Sequence, residues 1–255
     1  MSMKQHLMTT TLSTPFIFYT DIPNLNDAAQ KELKQAFFAF DHGKSVEAET
    51  AFRAACAADP TSAHLASNLG SWCLAQGNIS EGVKVLHEAI ALQPTCAGAH
   101  YNLGTFLLNN RLFEQALPHF EAALNLDPEG VAILNNYGIT LFHLNRLDDA
   151  HKAFEAAYSL RPTFDIAAHN AGMIAFSRDD METAITYFQN ALTINARNFS
   201  TWNALGCAYA LQGNLGEALK AFRQALALNE AFQMPYYNVG FIALHKDLLT
   251  NYAEA

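Results

Sequence analysis

Small residues return every 34 positions along the chain, and this spacing dominates its pattern of apolar and polar residues. The first row of small residues consists of Ala36, Gly70, Gly104, Gly138, Gly172, Gly206 and Gly240. A mostly aromatic row runs in step with it, sixteen residues later: Phe52, Leu86, Phe120, Phe154, Phe188 and Phe222. A fixed period of this size indicates a stacked array of structural repeats.

Each unit of the array contains two segments with apolar residues at helical spacing. In the sixth unit, Trp202 and Tyr209 belong to the first segment, and Leu215 and Phe222 belong to the second. The residues between the segments, 212–214, read Gln-Gly-Asn, which is a turn signal. The pattern therefore predicts an all-α fold in which every unit is an antiparallel pair of helices.

The glycine row predicts close contact between helices. A glycine inside a helix costs roughly 1 kcal/mol relative to alanine. Glycine nevertheless recurs at the same position of successive units. This recurrence is explained if a Cβ atom at that position would collide with a neighbouring helix. We expect a row of small residues on the second helices to supply the other side of this contact, with the aromatic row beside it: Ala48, Gly82, Ala116, Ala150, Ala184 and Ala218.

The period divides the chain into an N-terminal extension, six full units and a C-terminal remainder. We expect residues 1–28 to be poorly ordered or to cap the array, and residues 233–255 to form a capping helix or a partial seventh unit. The six predicted units are 29–62, 63–96, 97–130, 131–164, 165–198 and 199–232.

Composition argues against several classes of function. Among 255 residues, 15% are charged and the net charge is −9, without a basic cluster that could neutralise phosphates, so nucleic acid is not an expected partner. The sequence lacks phosphate-loop, zinc-protease and nucleophile-elbow motifs, so we expect no catalysis, cofactor or metal. The four cysteines lack metal-ligand spacing, and no apolar stretch reaches the length of a membrane span. These features favour a cytoplasmic location.

The pattern Trp202-x2-Leu205-Gly206-x2-Tyr209, followed by Ala218 and Phe222, resembles the tetratricopeptide repeat. This resemblance extends from residue 29 to about residue 246. It implies a right-handed superhelical solenoid of helix pairs whose first helices line a concave groove. In that family the groove usually holds a peptide or a partner protein.

The resemblance also indicates which positions of each first helix face the groove. The sixth position of the unit carries a recurrent asparagine, here called the asparagine row: Asn68, Asn102, Asn136, Asn170 and Asn238. The fifth position is aromatic or polar in the later units: Tyr101, Asn135, His169, Asn203 and Tyr237. An amide can donate and accept together, so the row suits pairing with the main chain of an extended peptide. The alternative is that asparagine is simply common at this position in the family.

These observations predict a non-catalytic scaffold that binds a neutral or apolar extended segment of a partner protein. The alternative is a structural protein that forms homo-oligomers through its terminal helices and its apolar N-terminal strip, defined here as residues 15–19. Such an apolar strip is costly to expose to water. We expect it to lie in a groove, either its own or that of a neighbouring molecule, or to cap the first hairpin.

Overall fold

The computed structural model describes residues 15–231 and 233–239, and this part of the chain is helical without any strand. The prediction of an all-α fold is therefore confirmed. A further helical stretch covers residues 234–239. The twelve helices of the described residues are α1 (Asp27–Asp41), α2 (Ser45–Ala58), α3 (Ala63–Ala75), α4 (Ile79–Leu92), α5 (Ala97–Asn109), α6 (Phe113–Leu126), α7 (Val131–His143), α8 (Leu147–Leu160), α9 (Asp165–Ser177), α10 (Met181–Ile194), α11 (Phe199–Leu211) and α12 (Leu215–Leu228).

The chain divides into two compact units at Leu144 and Asn145. In the first unit α1 packs on α2, α3 on α4 and α5 on α6, and α7 contacts both α5 and α6. In the second unit α9 packs on α10 and α11 on α12, while α8 packs on α9. Each unit is thus built from helix hairpins, and successive first helices of a unit also touch, as α3 and α5 do.

The hairpin turns place one residue in the left-handed conformation at intervals of 34 residues. At the turn after α3, Gly77 has φ +84°, and the N–H groups of Gly77 and Asn78 donate to the carbonyls of Leu74 and Cys73 at 3.1 and 2.8 Å. This bonding closes the helix with a Schellman motif. The positive-φ residues of the six turns are Gly43, Gly77, Arg111, Asn145, Asp179 and Gly213.

The glycine row lies against the aromatic row. In α11, a Cβ on Gly206 would approach the ring of Phe222 to 2.6 Å, and on Gly172 it would approach Phe188 to 2.7 Å. Both rings are fully buried. The expected close contact is therefore present, and at these two positions the nearest atoms belong to the aromatic ring. At Gly70 the carbonyl of Gly82, which belongs to the small-residue row of the second helices, also lies near, at 3.1 Å, as expected.

None of the helices described in the structure is long and apolar enough to cross a membrane.

Candidate functional site

The N-terminal strip is an extended segment that lies across α3 and α5. At α5, the side-chain amide of Asn102 pairs with the main chain of Ile17. The Ile17 N–H donates to Asn102 Oδ1 at 2.8 Å, and Asn102 Nδ2 donates to the Ile17 carbonyl at 2.8 Å. One asparagine side chain thereby satisfies both polar groups of one strip residue, as a neighbouring strand would in a sheet.

At α3, Asn68 repeats this arrangement two residues further along the strip. The Tyr19 N–H donates to Asn68 Oδ1 at 2.7 Å, and Asn68 Nδ2 donates to the Tyr19 carbonyl at 2.8 Å. In an extended chain, alternate residues direct their N–H and C=O groups to the same side. Moving from one helix hairpin to the next therefore corresponds to moving two residues along the strip. The strip runs in the direction opposite to the order of the helices in the chain.

The next contact along the strip, at Pro15, has a different form because proline has no N–H group. Instead of a paired amide, the Tyr101 hydroxyl donates to the Pro15 carbonyl at 2.8 Å. Asn136, the next member of the asparagine row, donates from Nδ2 to that hydroxyl at 3.2 Å and to Thr105 Oγ1 at 3.1 Å. Asn135 Nδ2 in turn donates to Asn136 Oδ1 at 3.2 Å. Both asparagines are buried, and Asn136 helps to hold the Tyr101 hydroxyl in position.

The two phenylalanines of the strip pack toward the C-terminal ends of the first helices. Phe16 lies against a buried cluster that includes Leu74 and Leu103. Phe18 packs on the first hairpin, with its ring centroid 6.2 Å from that of Phe52 and 5.9 Å from that of Phe40. The strip therefore lies in a groove of its own chain and also covers the first hairpin, so both expectations from the sequence are met in part.

Tyr19 points the opposite way, toward the first turns of α3 and α5. Its hydroxyl accepts a hydrogen bond from the Gly98 N–H at 2.7 Å, and its ring meets His64 edge-on with centroids 4.3 Å apart. The Cys96 thiol lies 4.0 Å from the hydroxyl oxygen. Burial first, and then the thiol, raise the pKa of Tyr19 above its ordinary range, so the hydroxyl is neutral at physiological pH.

Gly98 creates the room for this ring. A Cβ at that position would overlap the hydroxyl oxygen of Tyr19 and would lie 2.6 Å from ring carbon Cε2. Gly98, His64 and Cys96 are site residues that the sequence pattern did not predict. A signal was nevertheless present, because a glycine occupies the second position of its unit, on the face where the family places groove residues.

In the second unit, three of the predicted residues form hydrogen bonds with side chains of that unit. His169 Nδ1 lies 2.9 Å from Thr201 Oγ1. Asn238 Nδ2 donates to Asn203 Oδ1 at 2.9 Å and to Cys207 Sγ at 3.2 Å. These side chains and Asn170 are buried, whereas Tyr237 is 61% exposed. The structure thus brings Asn68, Asn102 and Tyr101 to one extended segment.

The site is suited to binding, and the hydrogen bonds and ring contacts described above for the strip involve no charged side chain. Its polar atoms are amides, hydroxyls, backbone groups and one neutral thiol, and the rest of its surface is aromatic or aliphatic. Among the residues that the structure describes, no group of three or more histidine, cysteine or acidic side chains could hold a metal ion. The main-chain groups and aromatic side chains of the strip are thus held by shape and hydrogen bonding.

Two models of the tetratricopeptide repeat family match the sequence, one over residues 107–165 and the other over residues 164–231. The chain is a tetratricopeptide repeat protein. Members of this family generally bind partner proteins and have no catalytic activity of their own, so the fold supports a role as a protein-interaction scaffold. No curated protein matches this tetratricopeptide repeat chain by sequence.

Solved structures of low sequence identity share the fold. A chain of the APC/C hetero-tetramer Cut9–Hcn1 gives a TM-score of 0.73 at 21% identity, over 88% of this chain and 44% of that one. PilF of Pseudomonas aeruginosa gives a TM-score of 0.72 at 17% identity, over 82% of this chain and 96% of that one. YrrB, described as a TPR protein with an unusual peptide-binding site, gives 0.58 at 18% identity, over 73% and 96%. At these identities the likeness concerns the architecture of this tetratricopeptide repeat protein alone.

Proposed function

We propose that the protein is a non-catalytic scaffold that binds an extended segment of a partner protein. Binding uses the asparagine row of the first compact unit, in which Asn68 and Asn102 lie. In this proposal the N-terminal strip is an internal ligand that occupies the site until a partner segment displaces it. The observation that carries the proposal is the pair of hydrogen bonds that each of Asn68 and Asn102 makes with one residue of the strip. These bonds use only main-chain groups, which any extended segment can offer.

The bonds are numerous enough to matter for affinity. A hydrogen bond contributes about 0.5–1.5 kcal/mol net. Four such bonds to Ile17 and Tyr19 therefore amount to at least about 2 kcal/mol, or roughly 30-fold in a dissociation constant. Pockets for Phe16 and Phe18 add apolar burial, and anchors of this kind carry much of the energy of an interface. Because no charged side chain takes part, binding should depend weakly on salt.

The test uses the full chain with its strip released. Replacing Ile17→Pro and Tyr19→Pro together removes both N–H groups that donate to the asparagines, whereas Ile17→Val keeps them and serves as the control. A fluorescent peptide with the sequence of residues 14–21 should bind the released chain and should bind the wild type and the Val control at least about tenfold more weakly.

Two further variants of the released chain show which residues bind the peptide. Asn68→Ala with Asn102→Ala should weaken binding by roughly 30-fold or more. Asn125→Ala, an exposed asparagine on α6 of the same unit, should leave it unchanged. Equal binding to all three released proteins would refute the role of the asparagine row.

A second candidate function is self-assembly by exchange of strips between copies. The strip is joined to α1 by residues 20–26 only, and a short hinge of this kind permits domain swapping. Sedimentation velocity over a range of concentrations separates the two functions. A scaffold for other proteins stays monomeric, whereas strip exchange gives dimers whose fraction rises with concentration and which the released variant cannot form.

A further inference from the structure

The pocket around the Tyr19 ring has features that main-chain pairing does not require. The asparagine amides hold the strip whatever its side chains are. Beside them, however, the chain supplies a glycine that leaves space for a six-membered ring and an N–H donor placed 2.7 Å from the ring's hydroxyl oxygen. His64 closes one side of the pocket with an edge-on contact. Together these groups fit the length, the planarity and the polar end of a tyrosine side chain.

Other side chains would fit this pocket less well. Phenylalanine fills the same volume but leaves the Gly98 N–H of α5 without its acceptor, and an unsatisfied buried donor is costly. The Cys96 sulfur at the N-cap of α5 also lies near this N–H group, but sulfur is a weak acceptor and makes no side-chain capping bond here. Leucine or valine reaches neither the N–H group nor the face of His64. Sites built to bond a hydroxyl discriminate strongly against analogues that lack it.

We infer that this groove selects partner segments in which a tyrosine occupies the position paired with Asn68, preceded by aromatic residues one and three positions earlier. This inference rests on the function proposed above and names the partner chemistry: an extended, uncharged segment of another protein with the pattern aromatic-x-aromatic-tyrosine. The strip itself, Phe16 to Tyr19, has this pattern. It serves as the internal copy that such a segment replaces.

A segment of a different protein is favoured over a second copy of this chain. A strip from a second copy would make the same contacts as the chain's own strip, so exchange brings no new interaction. The tethered strip has an effective concentration on the order of millimolar when its connection is as short as residues 20–26. Only a partner that also contacts other surfaces can displace it at micromolar concentrations. The net charge of −9 further opposes close association of copies.

The test measures peptide binding to the full chain released by Ile17→Pro and Tyr19→Pro. Three peptides with the sequence of residues 14–21 are compared: one with tyrosine at position 19, one with phenylalanine and one with alanine there. The tyrosine peptide should bind about tenfold more tightly than the phenylalanine peptide and still more tightly than the alanine peptide. Gly98→Ala in the released chain should abolish this preference, because its Cβ would occupy the place of the ring.

The alanine peptide supplies the control for folding. It should bind the Gly98→Ala chain as well as it binds the parent, because the pocket is empty in both complexes. If the Gly98→Ala chain lost affinity for all three peptides, this would show damage to α5 and overturn the assignment of Gly98. Equal affinities of the three peptides for the parent would overturn the tyrosine selectivity while the asparagine pairing still stood. Failure of even the tyrosine peptide to bind would instead refute the proposed function itself. Dimers of the wild-type chain at micromolar concentration would overturn the choice of a foreign partner.

Discussion

Replacing Gly206 by alanine tests whether the glycine row exists for steric reasons. The added Cβ would lie 2.6 Å from the ring of Phe222, which is fully buried and cannot move into solvent. Overpacking of this kind costs about 1–3 kcal/mol. Alanine regains about 1 kcal/mol of helix propensity. The net effect expected for Gly206→Ala is therefore a loss of about 1 kcal/mol in the free energy of unfolding.

Gly216 supplies a matched control in the neighbouring helix of the same unit. Nothing lies within 4 Å of a Cβ built at this position, so Gly216→Ala should stabilise the protein by about 0.4–1 kcal/mol. The same chemical change thus has opposite signs at two sites ten residues apart. Thermal and urea unfolding, followed by circular dichroism and by tryptophan emission, should separate the variants by about 1.5–2 kcal/mol, or several degrees in Tm. Equal stability of the two variants would refute the steric argument.

Three further predictions concern ionisable groups. Burial, with His100 and His87 nearby, lowers the pKa of His119 from 6.5 to about 4. As the pH drops, the unfolded chain therefore binds a proton at His119 before the folded chain does. The free energy of unfolding should fall between about pH 6.5 and pH 4. Because the side chain is half-exposed, the loss should be only about 1–2 kcal/mol in urea titrations, and His119→Gln should remove it. Burial raises the pKa of Cys56 and Cys73 to about 11, so a thiol reagent at pH 8 should modify them slowly until denaturant is added; rapid native modification would contradict the packing. Arg53 joins α2 to α4 through an ion pair with Glu81 at 2.7 Å, and its side chain is exposed. Arg53→Gln should therefore lower the free energy of unfolding by less than about 1 kcal/mol in chemical denaturation. A larger loss would show that the pair is better shielded from solvent than its exposure indicates.

Much of the architecture could be predicted because the information is local and repeated. The helix pairs follow from apolar spacing within about 30 residues, and the turns after α3 and α11 follow from glycines at residues 77 and 213. The equivalent turn after α9 is harder to read, since Asp179 adopts the left-handed conformation without the sequence signal that glycine gives. Periodicity places the glycine row on one face of the first helices, but it does not fix that the nearest atoms at Gly172 and Gly206 belong to aromatic rings.

The candidate site could be predicted only in part, since its contacts join distant parts of the chain. The asparagine row was identifiable from its spacing, but its strip residues lie 49 and 85 positions away. Apolar character alone allowed the strip to lie in a groove or to cap the first hairpin. The register that sets Tyr19 against Asn68, and so brings its hydroxyl to Gly98, depends on the distance between adjacent hairpins. No pattern within the strip encodes that distance.

The direction of the strip has a consequence for how the protein is made. Residues 16–19 leave the ribosome early, whereas α5, which supplies half of their hydrogen-bonding surface, ends at Asn109, 90 residues after Tyr19 (109 − 19). At a synthesis rate of about 5–20 residues per second, roughly 5–18 seconds pass before the second partner of the strip exists. During that interval two phenylalanines and a tyrosine emerge on a nascent polypeptide with an incomplete binding surface. The segment therefore stays exposed on the nascent chain until α5 has been synthesised.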